Sequence, residues 1–297
     1  MPASAPTPIS VTVFNDPGCP WGYSAIPALR VLQWRYGTQL DWRLVLIGLA
    51  ESPQLYVDRG YTPVMMAKGQ VGFRRYGMPF APHPKERVAA TSPACRAVVA
   101  ARLAVPGSEW RVHRALQLAQ FTSTILLDEP DDLRRVLEGV DGIDAAAIVD
   151  SLETPEVLAA YAADHAETRT AAGGPGAMQG KTANSDGLER YTAPSVIFER
   201  EGVRLEATGM QPVEAYDVLL ANLDPTLERR AAPVGDVHAA VAAFPEGLVT
   251  QEVAAILAVG NDAPDRDGAE LLLLESLAAG DVTREQLGDD AVWRSAR

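Results

Sequence analysis

The chain has 297 residues, 47% apolar and 22% charged, which suits one large domain or two smaller ones and excludes bulk disorder, collagen and coiled coil. Its net charge of −13, from 26 basic and 39 acidic residues, argues against nucleic acid and anionic membrane surfaces as main partners. Two cysteines, Cys19 and Cys95, exclude a disulfide-rich scaffold and an all-cysteine zinc site, and with four scattered histidines they argue against a cysteine/histidine metal site.

The start, Met1–Pro6, has no basic region and no apolar core, so it does not read as a signal peptide. The longest apolar runs, Leu44–Ala50 and Leu271–Leu274, fall far short of the roughly 20 residues of a membrane span. The expected location is the cytosol, where thiols stay reduced. Ile9–Phe14 is β-branched and alternating, and predicts a strand. Asn15-Asp16-Pro17-Gly18 ends it. A helix is expected from Pro20 to about Tyr36, kinked by Pro27 and stopped by Gly37. Leu40–Ile47 predicts a second strand, which completes a βαβ unit whose first turn carries Cys19.

The middle, from about Ala50 to Ala172, is expected to be mostly helical: Ala89–Ala104, Glu109–Thr122, Pro130–Glu138, Asp144–Leu152 and Pro155–Ala171. Gly173–Gly187 reads as a loop, and Lys181 and Asn184 would lie on it if it served as a lid. Ser195–Glu199 and Val203–Thr208 predict a hairpin turning at Glu201-Gly202, followed by a helix over Pro212–Leu223. Pro225–Pro233 reads as a linker. The remainder is expected to be helical at Val237–Ala243, Thr250–Ala258, Gly268–Ala279 and Thr283–Leu287.

Cys19-Pro20-Trp21-Gly22 follows a strand and opens a helix. A thiol there faces unpaired backbone N–H groups and the positive end of the helix dipole, which predicts a pKa below the free value of ~8.5. Proline suits the next position. A buried, inert cysteine fits the same four residues. Tyr191-Thr192-Ala193-Pro194, just before a strand, reads as an edge device or as a cis-proline turn that exposes the backbone of Thr192.

In this order, Asp16-Pro17-Gly18-Cys19-Pro20-Trp21, the helical insertion, Thr192-Ala193-Pro194 and Gly209-Met210-Gln211-Pro212 resemble the DsbA-like branch of the thioredoxin superfamily that includes FrnE-type proteins. The resemblance spans roughly Ile9 to Leu223. It implies an α/β, thioredoxin-like fold over residues 1–228 with a helical insertion at about 50–187; beyond it, the residue patterns of 229–297 read as a small helical module, winged-helix-like in its pattern. It implies that Pro194 is cis and packs against Cys19, and that Cys19 is the nucleophile of a thiol–disulfide oxidoreductase. Thr192, Ala193 and Pro194 would bind substrate beside Pro20, Trp21 and Gly22.

The family's redox members carry Cys-x-x-Cys, and here Gly22 stands at the second position. A bridge within the motif is impossible, so a monothiol mechanism is expected. A low-molecular-weight thiol, mycothiol or glutathione, would be co-substrate, with no tightly bound cofactor. Substrates would be small thiols or disulfides, with protein disulfides as a further class and a homodimer as a further assembly. The kappa-class glutathione transferases and hydroxychromene carboxylate isomerases share the architecture without the second cysteine, but use serine at the place of Cys19. That leaves a thiol-dependent transferase, isomerase or reductase of small electrophiles as an alternative, and a redox-inactive binding or chaperone-like protein as another.

Cys95 could face Cys19 as a resolving thiol, though a small core residue is favoured. Arg96 could bind an acidic group of a thiol, though a solvated side chain is favoured. Trp21 is expected to wall a groove, Tyr23 or Ser24 to hydrogen-bond the thiolate, and Asp16 to cap the turn. His83, His113, His165 and His238 are expected to be incidental. Leu248–Leu257 resembles the first helix of a helix-turn-helix, and Asp281–Leu287 a winged-helix ending. Four arginines against twelve acidic residues from Ala231 onward leave a net −8, which argues against DNA and for a packing or interaction module.

Overall fold

Residues 7–260 and 262–296 are described in a computed structural model of the chain. Met1–Pro6, read as lacking a leader, lies outside the described residues, as do Asn261 and Arg297 of the C-terminal segment.

Four strands form the central sheet: β1 (Ile9–Asn15), β2 (Leu40–Leu46), β5 (Ser195–Arg200) and β6 (Val203–Thr208), in the order β2-β1-β5-β6. β1 runs parallel to β2 and antiparallel to β5, and β6 pairs antiparallel with β5 around Glu201-Gly202. The parallel step needs a crossover, supplied by helices α1 (Pro20–Ser24) and α2 (Ile26–Tyr36). The expected single helix is broken at Ala25 rather than kinked at Pro27, because proline lacks an N–H and fits only the first turn of a new helix. Ile9, Val11, Val13, Val196 and Phe198 pack one face of the sheet against Leu29 and Leu32 of α2 and against Tyr216 and Leu220 of helix α11 (Val213–Leu223).

The insertion holds helices α3 (Pro53–Asp58), α4 (Pro63–Phe73), α5 (Ser92–Ala104), α6 (Glu109–Thr122), α7 (Pro130–Leu137), α8 (Ala145–Asp150), α9 (Pro155–Thr168) and α10 (Pro175–Met178). α5 starts three residues later than expected, with Pro93 in its first turn. The expected loop Gly173–Gly187 is more ordered: it contains α10 and strand β3 (Thr182–Asn184), which pairs with β4 (Glu189–Tyr191). Leu44 and Leu46 of β2 meet the buried faces of α5, α6 and α9, so the insertion lies against the same sheet.

The C-terminal segment runs α12 (Val237–Ala242), β7 (Leu248–Val249), α13 (Thr250–Leu257), α14 (Arg266–Ala279), β8 (Val282–Leu287) and β9 (Asp290–Ser295). Its strands form a sheet of their own, β7-β9-β8, so an all-helical segment is corrected. Thr283–Leu287, expected as a helix, is strand β8 because its backbone pairs antiparallel with β9. Val31 and Trp34 of α2 share a core with Val253, Ile256, Leu273 and Trp293. The contact is also ionic. Glu252, fully buried, receives a bidentate pair from Arg114 at 2.7 and 2.7 Å and a bond from Arg30 Nε at 3.2 Å. Arg30 also pairs with Glu246 at 2.8 Å. No helix among the described residues is long and apolar enough to cross a membrane.

Candidate active site

The end of β1 delivers Cys19 to the start of α1. Asn15 Oδ1 accepts the amide of Asp16 at 2.8 Å, Asp16 Oδ1 accepts the amide of Gly18 at 2.8 Å, and the Asp16 carbonyl accepts the amide of Cys19 at 3.1 Å. These bonds fix the turn, as expected of Asp16, and set Cys19 as the N-cap with Pro20 in the first turn. The Ala193–Pro194 peptide is cis, and the Cys19 thiol donates to the Ala193 carbonyl at 3.3 Å. Cysteine, Ala193, Phe14, Tyr191 and Ile197 share one apolar cluster.

The expected low thiol pKa is not found. Cys19 is 6% exposed, and burial pushes its thiol up to about 11. The amides of Gly22 and Trp21 and the charge of Arg190 pull the other way, while the carboxyl of Asp16 adds to the rise. The helix terminus acts on the sulfur as reasoned, but exclusion of water outweighs it.

Asp16 is the hub of a buried network. Its Oδ2 accepts from the amide of Leu49 at 2.8 Å, the Thr91 hydroxyl at 3.0 Å and the Cys95 thiol at 3.5 Å. Burial raises its own pKa, against these hydrogen bonds. Cys95 is fully buried on α5 and its thiol is pushed well up, first by burial and then by the Asp16 charge. Both cysteines are free thiols.

At Gly22, where a second cysteine would stand, a Cβ would lie 1.9 Å from Asn15 Oδ1, so a side chain there would require Asn15 to shift. Trp21, 42% exposed, packs edge-on against Phe73 at 4.9 Å and against Tyr76 at 5.7 Å, which forms an aromatic wall. No group of three or more metal-ligating side chains occurs among the described residues.

A family model of the DsbA-like thioredoxin domain matches residues 10–188, well over half of the chain. The chain belongs to the DsbA-like thioredoxin family. Its class is thiol–disulfide oxidoreductase. No curated protein sequence matches this DsbA-like chain. Three similar solved structures share its fold. A provisionally assigned protein disulfide isomerase from Nitrosomonas europaea has 19% identity and a TM-score of 0.55, covering 72% of this chain and 97% of its own. The cytosolic disulfide reductase DsbM from Pseudomonas aeruginosa has 20% and 0.53, covering 73% and 100%. A probable DsbA oxidoreductase from Streptomyces coelicolor has 16% and 0.53, covering 73% and 91%.

Other expected residues of the DsbA-like chain fall away from the sulfur. Tyr23 donates its hydroxyl to the Pro79 carbonyl at 3.1 Å, and the buried Ser24 hydroxyl has no partner among the described residues, so neither bonds the thiol. Thr192 turns its hydroxyl to the Lys181 carbonyl at 3.2 Å. Asn184 accepts the Gly187 amide at 2.9 Å and closes the β3–β4 turn. Arg96, expected to be solvated, is largely covered and pairs with Glu153 at 2.9 Å. His113 lies on α6, a helix as expected, and is buried there. Sequence reasoning missed Arg190, a buried cation held by Ser185 Oγ and the Tyr191 carbonyl, both at 2.9 Å, beside the site. An arginine inside a short strand that leads directly to the Thr192–Pro194 turn was the available signal.

Proposed function

We propose that this chain catalyses thiol–disulfide exchange with one cysteine. The Cys19 thiol attacks a disulfide R–S–S–R′ and forms Cys19–S–S–R, and the proton leaves with R′–SH. A low-molecular-weight thiol, mycothiol or glutathione, then attacks the mixed disulfide, takes R as a new disulfide and returns Cys19 as a thiol. The observation that carries this reading is the Cys19 sulfur, 3.3 Å from the Ala193 carbonyl oxygen, at a helix start where Gly22 packs against Asn15 in place of a second cysteine. The backbone of Ala193 and the Trp21 wall would line the substrate groove, and Arg190 would favour developing negative charge on sulfur. Cys95 is read as a structural donor to Asp16, not as a resolving thiol.

Residues 229–297 are read as a separate module over the body of residues 1–228. Its element order, helix-strand-helix-helix-strand-strand, is that of a winged helix, and its net negative charge suits packing or protein contact rather than DNA. A cytosolic location, with reduced co-substrate at hand, suits the mechanism.

The test is reduction of bis(2-hydroxyethyl) disulfide by glutathione or mycothiol, followed as loss of the starting thiol. Turnover by the intact chain, lost by at least about 100-fold in Cys19→Ser and kept in Cys95→Ser, is the expected result. Unchanged turnover in Cys19→Ser would overturn the mechanism.

A further inference from the structure

Four arginines are buried among the described residues: Arg30, Arg114, Arg169 and Arg190. Three of them have a counter-charge. Arg30 pairs with Glu246 and Glu252, Arg114 with Glu252, and Arg169 with Asp186 at 2.6 Å. Arg190, 7% exposed, has no ion pair among the described residues. The two acids whose charge reaches it are committed elsewhere: Asp186 to Arg169, and Asp16 to its network of amides, a hydroxyl and a thiol. A buried cation without an anion is costly, and burial pulls the Arg190 pKa down.

The geometry leaves one side of this guanidinium open. Its Nε donates to Ser185 Oγ and its Nη1 to the Tyr191 carbonyl, both at 2.9 Å. Nη2 has no hydrogen bond among the described residues, yet it keeps accessible surface. Arg190 stands on β4, just before Ala193, whose carbonyl accepts from the Cys19 thiol at 3.3 Å, and its charge acts on that sulfur. A second guanidinium meets it at Ser185. Arg59 Nη2 donates to the Ser185 carbonyl at 2.6 Å, and Arg59 is exposed with no ion pair among the described residues. Arg59 follows α3, one turn after Tyr56, a residue that the charges of Asp16 and Cys19 also reach. One flank of the site therefore holds two guanidiniums, the inner one buried and the outer one in solvent, and neither has an anion.

We propose that Arg190 and Arg59 bind a carboxylate of the thiol co-substrate, so that the chain selects an acidic thiol of the glutathione class over a neutral sugar thiol such as mycothiol. This rests on the exchange reading above and sharpens it. Glutathione carries a carboxylate on each side of its cysteine, and mycothiol carries none. A carboxylate that accepts from Arg190 Nη2 supplies the missing anion through a charge-assisted bond. Arg59 extends the positive flank into solvent, where it draws the anion in.

The test compares glutathione with its diethyl ester, the same thiol with both carboxylates masked, in reduction of bis(2-hydroxyethyl) disulfide by the full chain. Each kcat/KM is divided by the uncatalysed rate constant of the same thiol. The parent chain should then favour glutathione by about tenfold or more. Arg190→Gln should bring that ratio to about three or less, and Arg59→Gln, an exposed change, should lower it about two- to fourfold. An effect of Arg190 on the sulfur alone is common to both thiols and cancels in the ratio. The parent ratio and Arg59→Gln decide the matter even where Arg190→Gln does not fold. Calorimetric titration of Cys19→Ser with S-methylglutathione, which cannot exchange, reads the subsite without the chemistry. Saturable binding, weakened about tenfold or more when Arg190→Gln is added, is expected, and would stand even if the exchange reading failed. Equal efficiency with glutathione and its ester, a ratio unchanged in Arg190→Gln, or mycothiol as efficient as glutathione would each overturn the proposal, while turnover with all of these thiols would leave the exchange reading intact.

Discussion

Two carboxyls of this chain are completely buried and richly hydrogen-bonded, yet they behave in opposite ways. Glu252, which joins the C-terminal segment to α2 and α6, is held below the ordinary carboxylate range, because Arg114 and Arg30 outweigh its burial. Asp16, beside the reactive turn, is raised by burial, because its partners are amides, a hydroxyl and a thiol, with no cation bonded to it. Burial is common to both, so the counter-charge decides. The first arrangement makes a clamp and the second a site in which ionisation is costly. That cost extends to the neighbouring thiol.

The largest effect should follow from breaking the clamp. Glu252→Gln leaves the buried Arg114 guanidinium without its anion and Arg30 with Glu246 alone, and stability to urea should fall by about 3–5 kcal/mol. The two carboxyls also have opposite pH signatures. The folded pKa of Glu252 is depressed, so its contribution is present above the ordinary carboxylate pKa and is lost as pH falls through the folded value. The folded pKa of Asp16 is raised, so the fold is favoured while it is protonated and loses that advantage as pH rises through its folded value. Urea titrations across the acid range should therefore show a shallower acid loss in Glu252→Gln than in the parent chain. An unchanged acid limb would remove Glu252 from the account of the clamp.

A middle-sized effect is expected at Gly22. Gly22→Cys, which would restore a two-cysteine motif on paper, drives a side chain into Asn15, the residue that holds the Asp16 amide. It should cost about 1–3 kcal/mol, and Asn15→Ala in the same chain should recover part of it. Full stability of Gly22→Cys alone would show that the turn yields more easily than its packing indicates.

The smallest effect concerns the Asp16 charge itself. Asp16→Asn removes the negative charge that adds to the Cys19 pKa, so the alkylation midpoint should move down from about 11. Burial is the first cause and is retained, so the midpoint should stay above the free value of ~8.5. A midpoint unmoved by Asp16→Asn would assign the whole rise to burial.

Much of this frame was readable in the sequence, and the failures have physical causes. β1, β2, the β5–β6 hairpin and α11 carry dense apolar runs closed by glycine or proline, so their elements were legible. α3 and α4 were not, because Val57, Val64, Met65 and Val71 are exposed and leave no buried stripe to recognise. β8 is an edge strand with Val282 its one fully buried residue, so its alternation is masked by polar side chains. Cys19 and the turn at Pro194 were found together because each sits at a strand end. The thiol's acidity was misread, because a helix terminus is local while burial comes from Ala193, Tyr191 and other residues far along the chain. The bond from Cys95 to Asp16 spans 79 positions, and nothing local announces it.

The central claim is that one cysteine does the chemistry, and it is tested most directly by trapping the intermediate. The reduced chain would be mixed with excess bis(2-hydroxyethyl) disulfide in the absence of any other thiol, quenched with acid, and read by intact mass and peptide mapping. A single hydroxyethyl mixed disulfide on Cys19, formed equally in Cys95→Ser, is the predicted result. An unmodified Cys19, or a bridge between Cys19 and Cys95, would contradict it.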